Sequence, residues 1–338
     1  MDRHKQVVEP QVNQENNSQP KPKKQPSFFK KRDKKRKQGR GGCLKIVGVF
    51  VLAIILLSAV GYGIGFFKAK QDKNNFSIEV NEFNGQKAHD GSTNILLLGS
   101  DSRGEDQGRS DSIMIAHYSK RDKQPKIVSI MRDTFVGIPT QDGLEYNKIN
   151  AAYSYGGPEL VRKTIQQNFD IPIQYYAIVN FDSFPKIIDT ISPRGLKINA
   201  EKDLEVEGLN IAKGPNRLSG LETLQYARFR KDEEGDFGRV RRQQQVMTAL
   251  TKQALNPLNS WRIPETLGAI DGYIESNVPF SFYTKTGLSY TFSFHKPLSI
   301  LTIPVEGSWQ DAYYDHAGSV LEIDEAANKQ AIQQFFSK

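Results

Sequence analysis

The sequence predicts an α/β layered domain, presented outside a membrane by a single transmembrane helix. Three observations predict it. Short apolar runs of strand character alternate with helical patterns of roughly 10 to 19 residues. One uninterrupted run of 22 uncharged residues, Ile46 to Phe67, lies near the N-terminus. Positive charge is concentrated in front of that run.

The 338 residues carry a formal net charge of +8. Residues 1–70 contain 16 Lys/Arg and 4 Asp/Glu, which leaves 30 basic and 34 acidic side chains for the rest. The folded part is therefore slightly acidic, and nucleic acid is not an expected partner. Residues 1–45 are rich in Gln, Asn, Pro, Lys and Gly, bury too little apolar surface to offset ordering entropy, and read as a disordered cytoplasmic tail. Residues 46–67 read as the transmembrane helix, because at about 1.5 Å per residue they cross a hydrocarbon core of about 30 Å. Nine basic residues lie between Lys30 and Lys45, whereas only Lys68 and Lys70 closely follow the run. That asymmetry places the N-terminus inside and everything after the run outside the cell membrane. The single cysteine, Cys43, sits at the inner edge, so the outer domain holds together without disulfides, as suits a bacterial surface.

Residues 68–92 are polar and read as an extracellular linker; residues 93–338 form the domain. It opens with three strand signals, 94–98, 112–118 and 126–131, whose short connections suit antiparallel neighbours. Pro158 fits the first turn of a helix over 159–169. Residues 182–191 are amphipathic, Ser219 and Glu222 form a capping box that opens a short helix, and a longer helix covers 237–255. A late strand over 298–303 and a last helix over 324–336 complete the pattern. There is no internal repeat.

The meander brings the ends of the first three strands to one sheet edge, and with them Asp101, Arg109, Asp111, Arg132 and Asp133. Such a cluster is read in two ways. It is a solvated loop with surface ion pairs worth at most about 1 kcal/mol each, or a site in which carboxylates hold a divalent cation beside a phosphate. A second cluster, residues 226–245, packs five arginines into a short span. Extended backbone at Arg228, Phe229 and Arg230 puts both guanidinium groups on one face. Gly235 and Asp236 then open the long helix, on which Arg239, Arg242 and Gln243 share a surface near the N-terminus, a place that favours an anion. Planar guanidinium forks pair two phosphate oxygens at once, so a pyrophosphate suits them; an ordinary charged helix paired through Glu233 and Glu234 is the alternative. Widely spaced histidines and the absence of hydrolase, nucleotide-triphosphate and dinucleotide motifs speak against those chemistries.

Taken together, NILLLGSDSR (94–103), RSDSIMIAHYS (109–119), IVSIMRDT (127–134), KINAAYSYGGPE (148–159) and YARFRKDEEGDFGRVRRQQQV (226–246) resemble the LytR-CpsA-Psr family of Gram-positive cell-wall assembly. The resemblance covers about residues 90–338. It implies an α/β/α sandwich with a mixed central sheet whose interior holds a prenyl tail. The implied activity is a Mg²⁺-dependent phosphotransferase that moves a glycopolymer, such as teichoic acid or capsule, from a polyprenyl-pyrophosphate carrier to peptidoglycan. By motif position it puts Asp101 and Asp111 at Mg²⁺ and Arg109, Arg132, Arg228, Arg230, Arg239 and Gln243 around the pyrophosphate. Asp133, Lys148 and Asp236 transfer less directly. A membrane pyrophosphatase and a non-enzymatic polymer-binding regulator are the rival classes. The chain departs from the family at residues 192–196, where Ser, Pro, Arg, Gly and Leu stand in place of a Gly-Gly-Val step, and an altered turn is expected there.

Overall fold

The structure, a computed structural model, describes residues 40–72, 82–101, 108, 110–119, 121–206, 208–254, 262–283, 286 and 296–338. The tail 1–39, Arg109 and the side chains of residues 40–51, Ile54, Val206 and Ala254 lie outside the described residues. Two compact units divide the chain, residues 1–50 and 51–338. Of the first, the backbone of residues 40–50 is helical.

Helix α1 spans Arg40–Asp72 and carries the apolar run. Among the described residues no helix is long and apolar enough to cross a membrane; the side chains of residues 46–51 and Ile54 of the run lie outside those described. From Leu52 onward the large apolar side chains are open, with Ile55 58%, Leu57 72% and Phe67 66% exposed. Gly61, Gly65 and Ala69 recur every fourth residue, so the outer turns of α1 present a smooth stripe.

In chain order there follow β1 (Thr93–Ser100), β2 (Ser110–Tyr118), β3 (Pro125–Ile130), β4 (Thr134–Thr140), β5 (Gly143–Lys148), α2 (Ala151–Phe169), β6 (Tyr175–Asn180), α3 (Ser183–Ile191) and β7 (Leu196–Ala200). Next come β8 (Leu204–Val206), β9 (Leu209–Ile211), β10 (Gly214–Leu218), α4 (Gly220–Arg228), α5 (Gly235–Ala254), α6 (Ile263–Tyr273) and β11 (Glu275–Ser276). The described chain closes with β12 (Ser299–Ile303), β13 (Trp309–Tyr314), β14 (Gly318–Ile323) and α7 (Glu325–Ser337).

The main sheet has the order β11-β6-β1-β2-β3-β12. Its centre is the expected antiparallel meander, while β1 runs parallel to β6 and β3 parallel to β12, so the sheet is mixed. Alternation along β1 sends Leu96 and Leu98 into a core shared with Val161, Ile165 and Phe169 of α2 and Ile332 of α7. Ser112 and Thr302, on the other face, meet Gln243 and Gln244 of α5. Helices therefore lie on both faces. Ile95 and Leu97, on the α5 side, are only half-buried although β1 is an inner strand.

A second sheet, order β13-β14-β4-β5, was not anticipated. It packs beyond α2 through Val136 and Ile138, which join the same core. Sequence reading missed it because β4 and β5 contain Gly137, Pro139 and the exposed face residues Leu144 and Tyr146, which break the apolar alternation. Helix α2 is also longer than expected: one turn precedes a kink at Gly156 and Gly157, and Pro158 then opens the regular part. At the departure noted above, Gly195 adopts φ 84° and donates its N–H to the Ser192 carbonyl at 2.8 Å, a tight turn into β7.

Two further contacts set the position of the first segments. Residues 82–92, expected to be linker, are tied down: Phe83 packs on Tyr176 with ring centroids 4.8 Å apart, and the Gln86 N–H donates to the Ile173 carbonyl at 2.7 Å. The small-residue stripe of α1 meets Gly268 and Gly272 of α6, where a side chain at Gly65 or Gly268 would collide with the facing backbone. Tyr62 donates to Asp271 at 2.5 Å and Tyr273 to Asp72 at 3.0 Å, pinning the same contact.

Candidate functional site

The site forms where the strand ends meet α5. Between Gly99 paired with Ser112 and Ser100 paired with Ser110, the register shifts, and Asp111 is the extra residue of this β-bulge. A bulge re-aims its side chain. The Ser110 hydroxyl fixes it by hydrogen bonding at 3.0 Å to the Ser112 carbonyl and 3.3 Å to that of Gly99. Asp101 follows the end of β1 at the same edge, so the two predicted carboxylates leave adjacent strands side by side.

Arginines converge on Asp111. Arg132, just past β3, donates through Nη1 to Asp111 Oδ1 at 2.5 Å; Arg230 Nη2 stands 3.7 Å from Oδ2 and Arg239 Nη1 3.9 Å from Oδ1. Arg132 also reaches Asp133 at 3.4 Å and Asp236 at 3.7 Å, and Lys148 pairs with Asp133 at 3.0 Å. Burial works against the Arg132 charge, but the Asp111 hydrogen bond and the three carboxylates outweigh it and raise its pKa. Arg239 is different. It is 1% exposed, donates to Asp236 at 2.9 Å, and its Nε and Nη1 have no hydrogen-bond partner. Burial pushes its pKa down to about 10, with Arg132 and Arg230 adding repulsion that Asp236 only partly offsets. A buried guanidinium with donors left over is unfavourable unless an anion completes it.

Gln243, one turn further along α5, accepts from the Ser112 hydroxyl at 3.3 Å and so ties the helix to the bulge. Arg228 does not join the pairs around Asp111. Its guanidinium lies 4.3 Å from the centroid of Phe181, one residue beyond the Asn180 that pairs with Ser100, which keeps it at the same sheet edge. The structure thus brings Asp101, Asp111, Arg132, Arg230, Arg239 and Gln243 to one edge, with Arg228 bordering it; Arg109 lies outside the described residues.

Sequence reading grouped Arg242 with Arg239 and Gln243 on one face, and the structure separates them. Arg242 is buried, donates to Asp232 at 2.7 Å and to the Phe229 carbonyl at 2.7 Å, and so clamps the segment that carries Arg228 and Arg230. Burial opposes the Asp232 charge, yet hydrogen bonds from Lys202 and Arg242 pull its pKa down to about 2. Only the abundance of charge in residues 228–242 signalled such a clamp. Asp236, in the first turn of α5, pairs with both Arg239 and Arg132 and so belongs to the cluster.

Among the described residues no group of three or more His, Cys, Asp or Glu is placed to hold a metal ion. Among the described residues this edge therefore offers no closed protein cage. Two rim carboxylates suit a hard cation that keeps several waters and takes the rest of its shell from phosphate oxygens, as Mg²⁺ does.

Comparison with known proteins gives the family. The sequence profile of the LytR_cpsA_psr family matches residues 64–332. Regulatory protein MsrR of Staphylococcus aureus (strain COL) is 42% identical over 288 residues, 85% of this chain and 86% of that protein. The polyisoprenyl-teichoic acid–peptidoglycan teichoic acid transferase TagU of Bacillus mycoides (strain KBAB4) is 35% identical over 210 residues, 62% of this chain and 66% of that one. The crystal structure of B. subtilis TagV matches with a TM-score of 0.63 at 28% identity, covering 73% of this chain and 97% of TagV. TagT bound to LI-WTA shares the fold, with a TM-score of 0.56 at 24% identity over 78% of this chain and 94% of TagT. With the profile spanning nearly the whole described domain, the chain belongs to the LytR-CpsA-Psr family.

Proposed function

We propose that this protein is a phosphotransferase that takes a glycopolymer from a polyprenyl-pyrophosphate carrier and joins it to peptidoglycan through a phosphodiester bond. The observation that carries the reading is Arg239, a buried cation whose Nε and Nη1 make no hydrogen bond and whose charge is felt by Arg132, Arg230 and Asp111. A diphosphate is the guest whose charge and oxygen spacing match that set. The transferase activity stated for TagU supports the reaction, and the teichoic-acid ligand of TagT supports the donor class. The half-buried Ile95 and Leu97 on the α5 side of β1 support an apolar interior for the prenyl tail.

In the step proposed, an acceptor hydroxyl attacks the phosphorus next to the glycan, the bond from that phosphorus to the bridging oxygen breaks, and polyprenyl phosphate leaves. The hydroxyl proton passes to a base that the reading leaves unassigned; Asp101 or Asp111 serves only where the metal does not fully engage it. Arg132, Arg230 and Arg239 hold the diphosphate in line and take up the negative charge that grows on the leaving oxygens. Mg²⁺ held by Asp101 and Asp111 would neutralise further charge on those oxygens. The reading also places α1 across the cell membrane with its N-terminus inside, supported by the charge asymmetry and the open apolar side chains from Leu52 onward.

The test is product analysis with the full-length protein in nanodiscs, given lipid-pyrophosphate-linked saccharide and a peptidoglycan oligomer. Joined product that forms with Mg²⁺ and stops in chelator is the expected result. Equal yield in chelator overturns the metal role. Lipid phosphate without joined product identifies a pyrophosphatase, and tight binding with no turnover a regulatory module.

A further inference from the structure

The outer face of the second sheet carries a surface that the diphosphate site does not use. Val136 and Ile138 point to the core, so Phe135 and Gly137 point outward. Cross-strand partners share a face, which adds Lys148 and Tyr146 of β5, opposite Phe135 and Gly137, and Glu322 of β14, also opposite Phe135. On β13 the same rule places Gln310 and Tyr314 outward.

Four rings gather there. Phe135 and Tyr314 stack with centroids 4.5 Å apart and planes 6° from parallel, while Tyr146 and His316 lie 6.0 and 6.3 Å from Phe135. The His316 ring hydrogen-bonds the Tyr146 carbonyl at 2.9 Å. Leu144 and Tyr146 are each 49% exposed. Gly137 lets their side chains lie flat over the strand, at 3.5 Å and 3.6 Å from where a Cβ would stand. Beside the rings, Glu322 accepts from Tyr314 at 3.0 Å and from Gln310 at 2.8 Å, a fixed row of hydroxyl, carboxylate and amide.

Flat, half-exposed rings with a pre-oriented polar row match a chain of pyranose rings, which offers apolar C–H faces and hydroxyl edges. The charge selects which chain. Of the face residues named here only Lys148 is cationic, and it is already paired with Asp133, while Glu322 adds negative charge. An anionic polymer is repelled; an uncharged glycan is not. Lys148, opposite Phe135, pairs with Asp133, which in turn meets Arg132, so the platform borders the acid and arginine cluster.

We propose that this face binds the uncharged acceptor glycan strand and feeds one of its hydroxyls to the site. The proposal rests on the transferase reading above and adds the acceptor's location to it. The probe is the β-1,4-linked tetramer of N-acetylglucosamine, titrated into the full-length protein in nanodiscs. Tyr146→Ala is expected to weaken its binding at least tenfold. Tyr314→Phe, which keeps the ring and removes the hydroxyl that meets Glu322, is expected to have a smaller effect, and Tyr146→Phe to retain binding. Tyr313→Ala, on the other side of β13 and 72% exposed, is expected to leave it within twofold. In the transfer assay Tyr146→Ala should raise the acceptor KM and leave kcat and the donor KM unchanged.

Failure to bind the tetramer, equal loss with Tyr313→Ala, or competition by a poly(glycerol phosphate) that binds this face would overturn the proposal. Tyr146-dependent tetramer binding without any joined product would retain the platform and sink the transferase reading. Transfer with an acceptor KM indifferent to Tyr146 would do the reverse.

Discussion

Arg239 concentrates the argument at the scale of single residues. Its neighbour Arg230 offers the cleaner test, because its side chain is 41% exposed and ion-paired only loosely, 3.7 Å from Asp111. Arg230→Ala is expected to lower turnover on the order of 10²-fold, the size seen when one transition-state donor is removed, while the melting temperature moves by no more than about 2 °C. Full turnover in that variant would remove Arg230 from the mechanism. Away from the site, His117 sets a pH response. Its ring is 3% exposed, bonded to Asn94 at 2.8 Å and stacked on Phe336 at 4.1 Å. Burial, helped by the Lys126 charge, pulls its pKa from 6.5 down to about 4. The folded state therefore stays neutral while the unfolded chain gains a proton, so stability falls as pH drops from 6.5 to 4, by about 3 kcal/mol. Urea melts across that window should show the loss in the wild type and a flatter profile in His117→Gln; parallel profiles would exclude the role. The acids and arginines of the site were legible in sequence because charge in an α/β strand-end loop is conspicuous. The wide spacing of the histidines gave no motif, and the burial of His117 is invisible without the fold.

Among elements, the segment between α4 and α5 depends on one buried pair. Breaking it with Arg242→Ala leaves Asp232 to Lys202 alone and the Phe229 carbonyl without its donor, and is expected to destabilise by about 1–3 kcal/mol, read as a lower denaturant midpoint, with turnover falling because Arg228 and Arg230 lose their position. An unchanged midpoint would mean that Lys202 alone holds Asp232. In α2, Gly157 has φ 60° and ψ −156°, a conformation open only to glycine. Gly157→Ala should cost about 1–3 kcal/mol by strain in the kink, measurable by the same melts. The meander, the Ser219 capping box and the helices α3, α5 and α7 were readable from periodicity and caps. The second sheet was not, because β4 and β5 carry their apolar residues on both faces, Val136 and Ile138 toward α2 and Leu144 and Tyr146 toward solvent.

For the whole molecule, topology is testable with the one native cysteine. In intact cells Cys43 should resist a membrane-impermeant maleimide, and a cysteine placed at the exposed Tyr313 should react; the opposite pattern would invert the orientation proposed. Sequence sufficed for the family, since that rests on ordered motifs. It did not reveal how the domain meets its anchor. The stretch after Phe67 looked like a tether by composition, whereas glycines facing glycines and two tyrosine–aspartate bonds fasten α1 to α6. Close glycine contacts of this kind leave no room between the two helices. The last turns of α1 and the whole of α6 then turn as one body, so any bending of the helix falls before Gly61.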